Sequence, residues 1–152
     1  MQLNHSIHTR PRALVVDDSA TLQRQIGLIL ESLGIEIEFS DRGDEAIYQA
    51  LSKPYNVIFL DVMLPVIDGY EVCKRVKRDP IAKQVPVIML TSKGSTFDKV
   101  RGIMAGTNAY LTKPVATATV LASLEKHAPG VRAAGEHWLQ TSRHSSNPLR
   151  SK

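Results

Sequence analysis

The sequence predicts an α/β domain: a parallel sheet covered by helices on both faces. Two observations carry that prediction. Short, almost wholly apolar runs recur along the chain, as Ala13-Leu-Val-Val16, Val57-Ile-Phe-Leu60 and Pro86-Val-Ile-Met-Leu90, and runs of that length without alternation read as strands buried on both faces. Between them lie longer stretches with apolar residues at helical spacing, so strand and helix alternate as in a βα series. Crossovers of this kind are right-handed, which leaves few topologies.

The first strand ends at Asp17-Asp18, and Ser19 is placed to cap a helix from Ala20 to Leu33 with Leu22, Ile26, Ile29, Leu30 and Leu33 on one face. Gly34 stops it. Ile35 to Phe39 alternates apolar and acidic residues, as a strand with one wetter face does. Asp41 or Asp44 is expected to cap a second helix running to about Ser52. The strand Asn56–Leu60 ends at Asp61. Pro65 and Asp68-Gly69 turn the chain into a third helix that runs to about Arg78, with Pro80 beyond. The strand from Pro86 ends at Thr91-Ser92. A fourth helix is expected from Ser95 to Ala105, closed by Gly106. A short strand, Ala109-Tyr-Leu111, leads to Thr112-Lys113-Pro114, and a fifth helix spans about Thr117 to His127.

These boundaries suggest a flexible N-terminal segment (1–10), one folded domain (11–128) and a basic C-terminal tail (129–152) read as mostly disordered, although Trp138-Leu139 could dock locally. The formal charge of +4 is unevenly spread: residues 1–12 supply +2 and residues 129–152 supply +3, which leaves −1 for the remainder. A basic, nucleic-acid-binding core is therefore not expected, and DNA binding would fall to the ends. No apolar run reaches membrane-spanning length, and the polar start lacks a signal-peptide pattern. The one cysteine, Cys73, excludes an internal disulfide and suits a reducing compartment, so a cytoplasmic location is expected. Lys74-Arg75 and Lys77-Arg78 on the third helix read as a solvated face, with a partner-binding patch as the alternative.

The chemistry collects beyond the strand ends, where open α/β sheets bind their ligands. Asp17-Asp18, Asp61, Thr91 and Lys113 each lie at the end of a separate strand. Three converging carboxylates repel unless a cation shares them. Oxygen donors without clustered His or Cys point to Mg²⁺ or Mn²⁺. A lysine and a hydroxyl beside them suit phosphoryl oxygens, and Asp61 is then placed as a nucleophile. Each residue alone has a commonplace reading as a cap or turn residue; the set, one member per strand end, is what points to phosphoryl chemistry.

Val15-Val-Asp-Asp-Ser19, Phe59-Leu-Asp-Val-Met-Leu-Pro65 with Asp68-Gly69, Val87-Ile-Met-Leu-Thr-Ser92 and Ala105-Gly106 through Tyr110-Leu-Thr-Lys-Pro114 resemble, in order and spacing, the motifs of response-regulator receiver domains. The resemblance covers about residues 11–128. It implies the flavodoxin-like (βα)5 fold with strand order 2-1-3-4-5, and phosphorylation of Asp61 by a histidine kinase. It implies Mg²⁺ held by Asp18, Asp61 and the Met63 main-chain carbonyl, with Asp17 acting through water. Thr91 and Lys113 would contact the phosphoryl group, Lys113–Pro114 would be cis, and Thr91 with Tyr110 would be the switch pair. A downstream protein would then meet the face of the fourth helix, fifth strand and fifth helix.

Two positions depart from the family pattern. Leu64 stands where Met is usual, and Ala109 replaces a common acid beside Tyr110. Met63 also occupies the place where haloacid-dehalogenase-type phosphatases carry a second aspartate, which argues against that class. Too few residues lie beyond 128 for an ordinary helix-turn-helix domain, so output is expected through protein contact, as in chemotaxis or pilus-driven motility. The stretch Pro86 to Pro114, including Lys93 to Lys99, is similar to regulators of type IV pilus twitching. A phosphate sink for a shared kinase and a nucleic-acid-binding protein using the basic tail are the alternatives.

Overall fold

The computed structural model describes residues 9–92 and 99–146. Five strands, β1 (Arg12–Val16), β2 (Glu36–Ser40), β3 (Val57–Asp61), β4 (Val87–Ser92) and β5 (Ala109–Lys113), form one sheet in the order β2-β1-β3-β4-β5. All four pairings are parallel. The helices are α1 (Ala20–Ser32), α2 (Gly43–Ser52), α3 (Gly69–Arg78), α4 (Lys99–Ala105), α5 (Thr117–His127) and α6 (Pro129–Ser146), with a 3₁₀ turn at Ala82–Gln84. Residues 95–98, expected to begin the fourth helix, lie outside the described residues, as do most of the 93–99 stretch and residues 1–8 and 147–152.

The period-2 geometry of the strands divides the core in two. Leu14, Val16, Ile58, Leu60, Val87 and Met89 face α2 and α3, where Ala46, Ile47, Val72, Cys73 and Val76 cover them. Ala13, Val15, Val57, Phe59, Ile88 and Leu90 face Leu22, Ile26 and Leu30 of α1 and Val120 and Leu124 of α5. Most of these side chains are fully buried, and each large one contributes about 1.5–3 kcal/mol relative to exposure. With both faces sealed, polar groups on the central strands can sit only at the strand ends.

Local chemistry sets the helix starts. Ser19 accepts a hydrogen bond from the Leu22 N–H and Asp68 accepts one from the Glu71 N–H. The expected cap on α2 is not there: the N-cap is Arg42, without a side-chain cap bond, and Asp44 instead pairs with the Arg42 guanidinium at 2.9 Å.

The expectation of disorder after residue 128 is corrected by α6. Pro129, which would break a helix from its interior, occupies the first helical position, where a missing N–H costs nothing. Val131, Gly135, Trp138 and Leu139 then fall on one helical stripe. Val131 and Ala128 join the buried cluster of α1 and α5. Gly135 lies so close to the loop after α1 that a Cβ there would overlap the Leu33 carbonyl oxygen; Gly34 faces Gly135 in turn, with φ of 81°. Arg10 donates to the Gly34 carbonyl at 3.2 Å and lies 3.9 Å from the Trp138 ring centroid. Residues 129–146 are thus part of the packed unit. Among the described residues no helix is long and apolar enough to cross a membrane.

Candidate functional site

Three strand ends bring Asp17, Asp61 and Lys113 together. Asp61 closes β3, opposite Leu90 of β4. Asp17 lies just past β1, its N–H bonded to the Ser40 carbonyl at 3.0 Å. Lys113 closes β5 and reaches back across the sheet, its Nζ 2.7 Å from Asp17 Oδ2 and 3.2 Å from Asp61 Oδ2. The Asp17 contact is one of charge, since Oδ2 accepts no aligned hydrogen bond among the described residues. Carboxylate oxygens of Asp17, Asp18 and Asp61 all lie within 4.8 Å of one another.

The three acids are held differently. Asp17 is fully buried; its Oδ1 accepts from the Ser19 N–H at 2.8 Å and its carbonyl accepts from Gln23 Nε2. Asp61 is 3% exposed, and its Oδ1 accepts from the Met63 N–H at 3.1 Å. Asp18 is exposed and has no hydrogen bond or ion pair among the described residues. Burial pushes the Asp61 carboxyl up to about 6, with the Asp17 charge adding to the rise and Lys113 opposing it. Burial pulls Lys113 down, but Asp17 and Asp61 outweigh it and hold the ammonium above its ordinary range.

The loop between β3 and α3 is shaped around Asp61. Gly69 packs so tightly against that residue that a Cβ would overlap the Asp61 carbonyl oxygen, and its N–H donates to the Val62 carbonyl. The Ile67 N–H donates to the Pro65 carbonyl, closing a γ-turn over Val66, whose φ of 72° is costly for a β-branched residue. Val66 and Met63 of this loop are exposed to solvent, 72% and 67%.

Thr91 near the end of β4 is buried, its hydroxyl donating to the Leu111 carbonyl at 3.4 Å. Tyr110, on β5, is turned out and 45% exposed. The Lys113–Pro114 peptide is cis. Asp17, Asp18, Asp61, Thr91 and Lys113 therefore collect at one end of the sheet, while Tyr110 lies three residues before Lys113 on β5, opposite Met89. One contributor has no signal in the sequence: Gln23, whose amide clamps the Asp17 backbone, sits in a helical setting that does not mark it.

The donors are all oxygen and three carboxylates face one ammonium, so the pocket holds excess negative charge partly removed from water. That is the donor set of a hard divalent cation. The arrangement defines a doubly wound α/β domain with an oxygen-rich acidic pocket beyond its strand ends. A family model described as the response regulator receiver domain matches residues 13–125. The chain belongs to that family, the receiver domains of two-component response regulators.

Protein PilG of Pseudomonas aeruginosa is 36% identical over 118 residues, which cover 78% of this chain and 87% of PilG. The chemotaxis response regulator CheY4 of Vibrio cholerae superposes with a TM-score of 0.72 at 33% identity, over 78% of this chain and 98% of that one. The receiver domain of the sensor histidine kinase PA1611 of Pseudomonas aeruginosa, solved with magnesium coordinated in its active-site cleft, gives 0.72 at 30% identity, over 78% and 98%. Transcriptional regulators also match, and the chain spans less than half of one of them, ResD of Bacillus subtilis: 42% of ResD and 68% of this chain, at 42% identity.

Proposed function

We propose that Asp61 is the phosphoryl acceptor and that its phosphorylation switches a protein-binding face. The single observation that carries this reading is the Lys113 ammonium lying between Asp17 and Asp61, with three carboxylates in one pocket. An Asp61 carboxylate oxygen attacks the phosphorus of a histidine kinase's phosphohistidine. The new O–P bond forms as the N–P bond breaks, and the imidazole nitrogen leaves with the electron pair. Lys113 neutralises charge on the phosphoryl oxygens, and the buried walls keep competing water out.

Mg²⁺ (or Mn²⁺) bound beside Asp61 would supply charge neutralisation for the phosphoryl oxygens. Asp18, Asp61 and the Met63 carbonyl would hold it directly, since Asp18 has no other partner among the described residues. Asp17 would act through water, because one of its oxygens is already taken by Ser19 and the other faces Lys113. The Thr91 hydroxyl exchanges the Leu111 carbonyl for a phosphoryl oxygen, and Tyr110 swings inward from its exposed position behind it. This remodels α4, β5 and α5, whose outer surface exposes Val100, Ile103 and Met104. That surface is the docking face for the downstream protein, with output through protein contact in the cytoplasm.

Motility signalling is the favoured pathway, on the likeness to the chemotaxis regulator and to PilG. A phosphate sink for a shared kinase would instead lose its phosphoryl group quickly and gain no partner. The direct test is incubation with a small phosphodonor and Mg²⁺, then intact mass. One phosphoryl adduct is expected in the native chain and none in Asp61→Asn; equal labelling of the variant would remove Asp61 as the acceptor.

A further inference from the structure

We propose that the groove between α3 and α4 is a docking site for an acidic peptide segment of a partner protein, one that carries apolar side chains between its carboxylates. The groove has a volume of about 600 Å³, and Tyr70, Lys74, Lys77, Arg78, Arg101 and Met104 line it. Lys74 and Arg78 are one helical turn apart, on one face of α3. Neither side chain makes a hydrogen bond or ion pair among the described residues. The acid in the wall, Glu71, is already paired with Arg75 at 3.1 Å.

The groove differs from an ordinary solvated lysine face in its floor. Lys77 lies along it half-buried, its Nζ donating to the Val85 carbonyl at 2.7 Å and the Lys83 carbonyl at 3.1 Å. Its stem packs where a Cβ on Gly106 would meet it. Burial lowers the Lys77 pKa, so the ammonium is a partly desolvated charge that an incoming carboxylate would favour. Met104 stands 76% exposed at the same groove, an adaptable thioether open to solvent. Arg101 lies 4.2 Å from the Tyr70 ring centroid and pairs with Asp68 at 3.1 Å. Cations and an exposed apolar side chain lining one groove fit an acidic, amphipathic peptide.

Single-stranded nucleic acid fits less well. Its phosphates need a track of cations, and its bases need an open aromatic face. Here the cations occupy one groove, and the Tyr70 ring is buried beneath Arg101. The groove does not contain Asp61, but it shares Met104 with the α4 surface proposed above as a docking face, and the titration below reads it in the unphosphorylated chain.

The test uses the isotopically labelled full chain and a short synthetic peptide of alternating Glu and Leu, titrated by amide-resolved NMR at low and near-physiological salt. Shifts are expected at Lys74, Arg78, Arg101, Met104 and their neighbours. Lys74→Glu/Arg78→Glu should weaken binding by about tenfold or more, and Lys74→Gln/Arg78→Gln by less in the same direction. Met104→Ser should weaken it by about threefold. A control pair on other surfaces, Arg24→Glu/Lys126→Glu, should change affinity less than about twofold. Urea midpoints of all variants establish that they are folded. The proposal is overturned if the shifts map elsewhere, if the control pair loses as much, or if a leucine-free glutamate peptide or a single-stranded oligonucleotide binds as tightly.

Discussion

Replacing Asp61 by Asn should stabilise the metal-free protein at neutral pH, although the change removes one partner of a buried ion pair. In the fold the Asp61 carboxyl titrates near 6 rather than at its ordinary 3.8, because burial and Asp17 together outweigh Lys113. The folded state therefore holds this proton to higher pH than the unfolded chain, and stability falls as pH rises between the two values. Below about 4 the penalty is absent, and above about 6 it is complete. About two pKa units at 1.36 kcal/mol each set a ceiling near 3 kcal/mol, and solvent relaxation at the pocket mouth brings the expectation to about 2 kcal/mol. The asparagine keeps an oxygen for the Met63 N–H, and Lys113 keeps Asp17. Urea denaturation in EDTA at pH 7.5 should show the gain, and the same pair at pH 4 should show most of it gone. Mg²⁺ at ten times its Kd adds about 1.4 kcal/mol to the native chain and much less to the variant. Equal midpoints in EDTA at pH 7.5, an advantage undiminished at pH 4, or equal Mg²⁺ stabilisation of both proteins would refute the reasoning.

Gly135→Ala should cost about 1–3 kcal/mol, because its Cβ meets the Leu33 carbonyl and lifts α6; the lone tryptophan, Trp138, makes fluorescence the readout, and an unchanged midpoint would mean that α6 does not dock. Glu38 is held below its ordinary carboxylate range chiefly by the Tyr55 hydroxyl, 2.6 Å away, with Lys53 and Arg12 helping against burial. It therefore contributes stability above about pH 4.5 that is lost as pH falls through its lowered value, and Glu38→Gln should flatten that part of the acid-denaturation profile; an unaltered profile would exclude the contribution. Cys73 is fully buried and its thiol is pushed up to about 11 by burial, so a thiol reagent at pH 8 should label it only at the rate of unfolding. Labelling on mixing would contradict that packing.

The site was legible from the sequence because the strands are. Val57 to Leu60 is apolar without interruption, so Asp61 could only stand at the very end of a buried strand, and the same holds for Asp17 and Thr91. What the residues could not say is how each carboxylate is engaged. Asp17 and Asp18 are neighbours in sequence, yet one is buried and doubly engaged, while the other is exposed and unpartnered among the described residues. That difference arises from Lys113 and Gln23, which only the folded sheet and helix bring near. The tail was misread for a different reason. Its composition is polar and Pro129-Gly130 looks like a stop, while the stripe of Val131, Gly135, Trp138 and Leu139 includes a glycine that contributes no hydrophobic signal. The glycine is there for closeness, which periodicity does not register.

The contact between Gly34 and Gly135 makes a diagnostic for related chains. Gly34 ends α1 in the left-handed region, so a glycine there is favoured whether or not anything packs beneath it. Gly135 has no such backbone demand and is needed only because another main chain lies against it. Glycine at the first position alone thus carries no information about the chain beyond the fifth helix. A chain with a glycine in the second turn of a C-terminal extension, and an aromatic–aliphatic pair three and four residues on, is expected to dock that extension as a sixth helix in the same way.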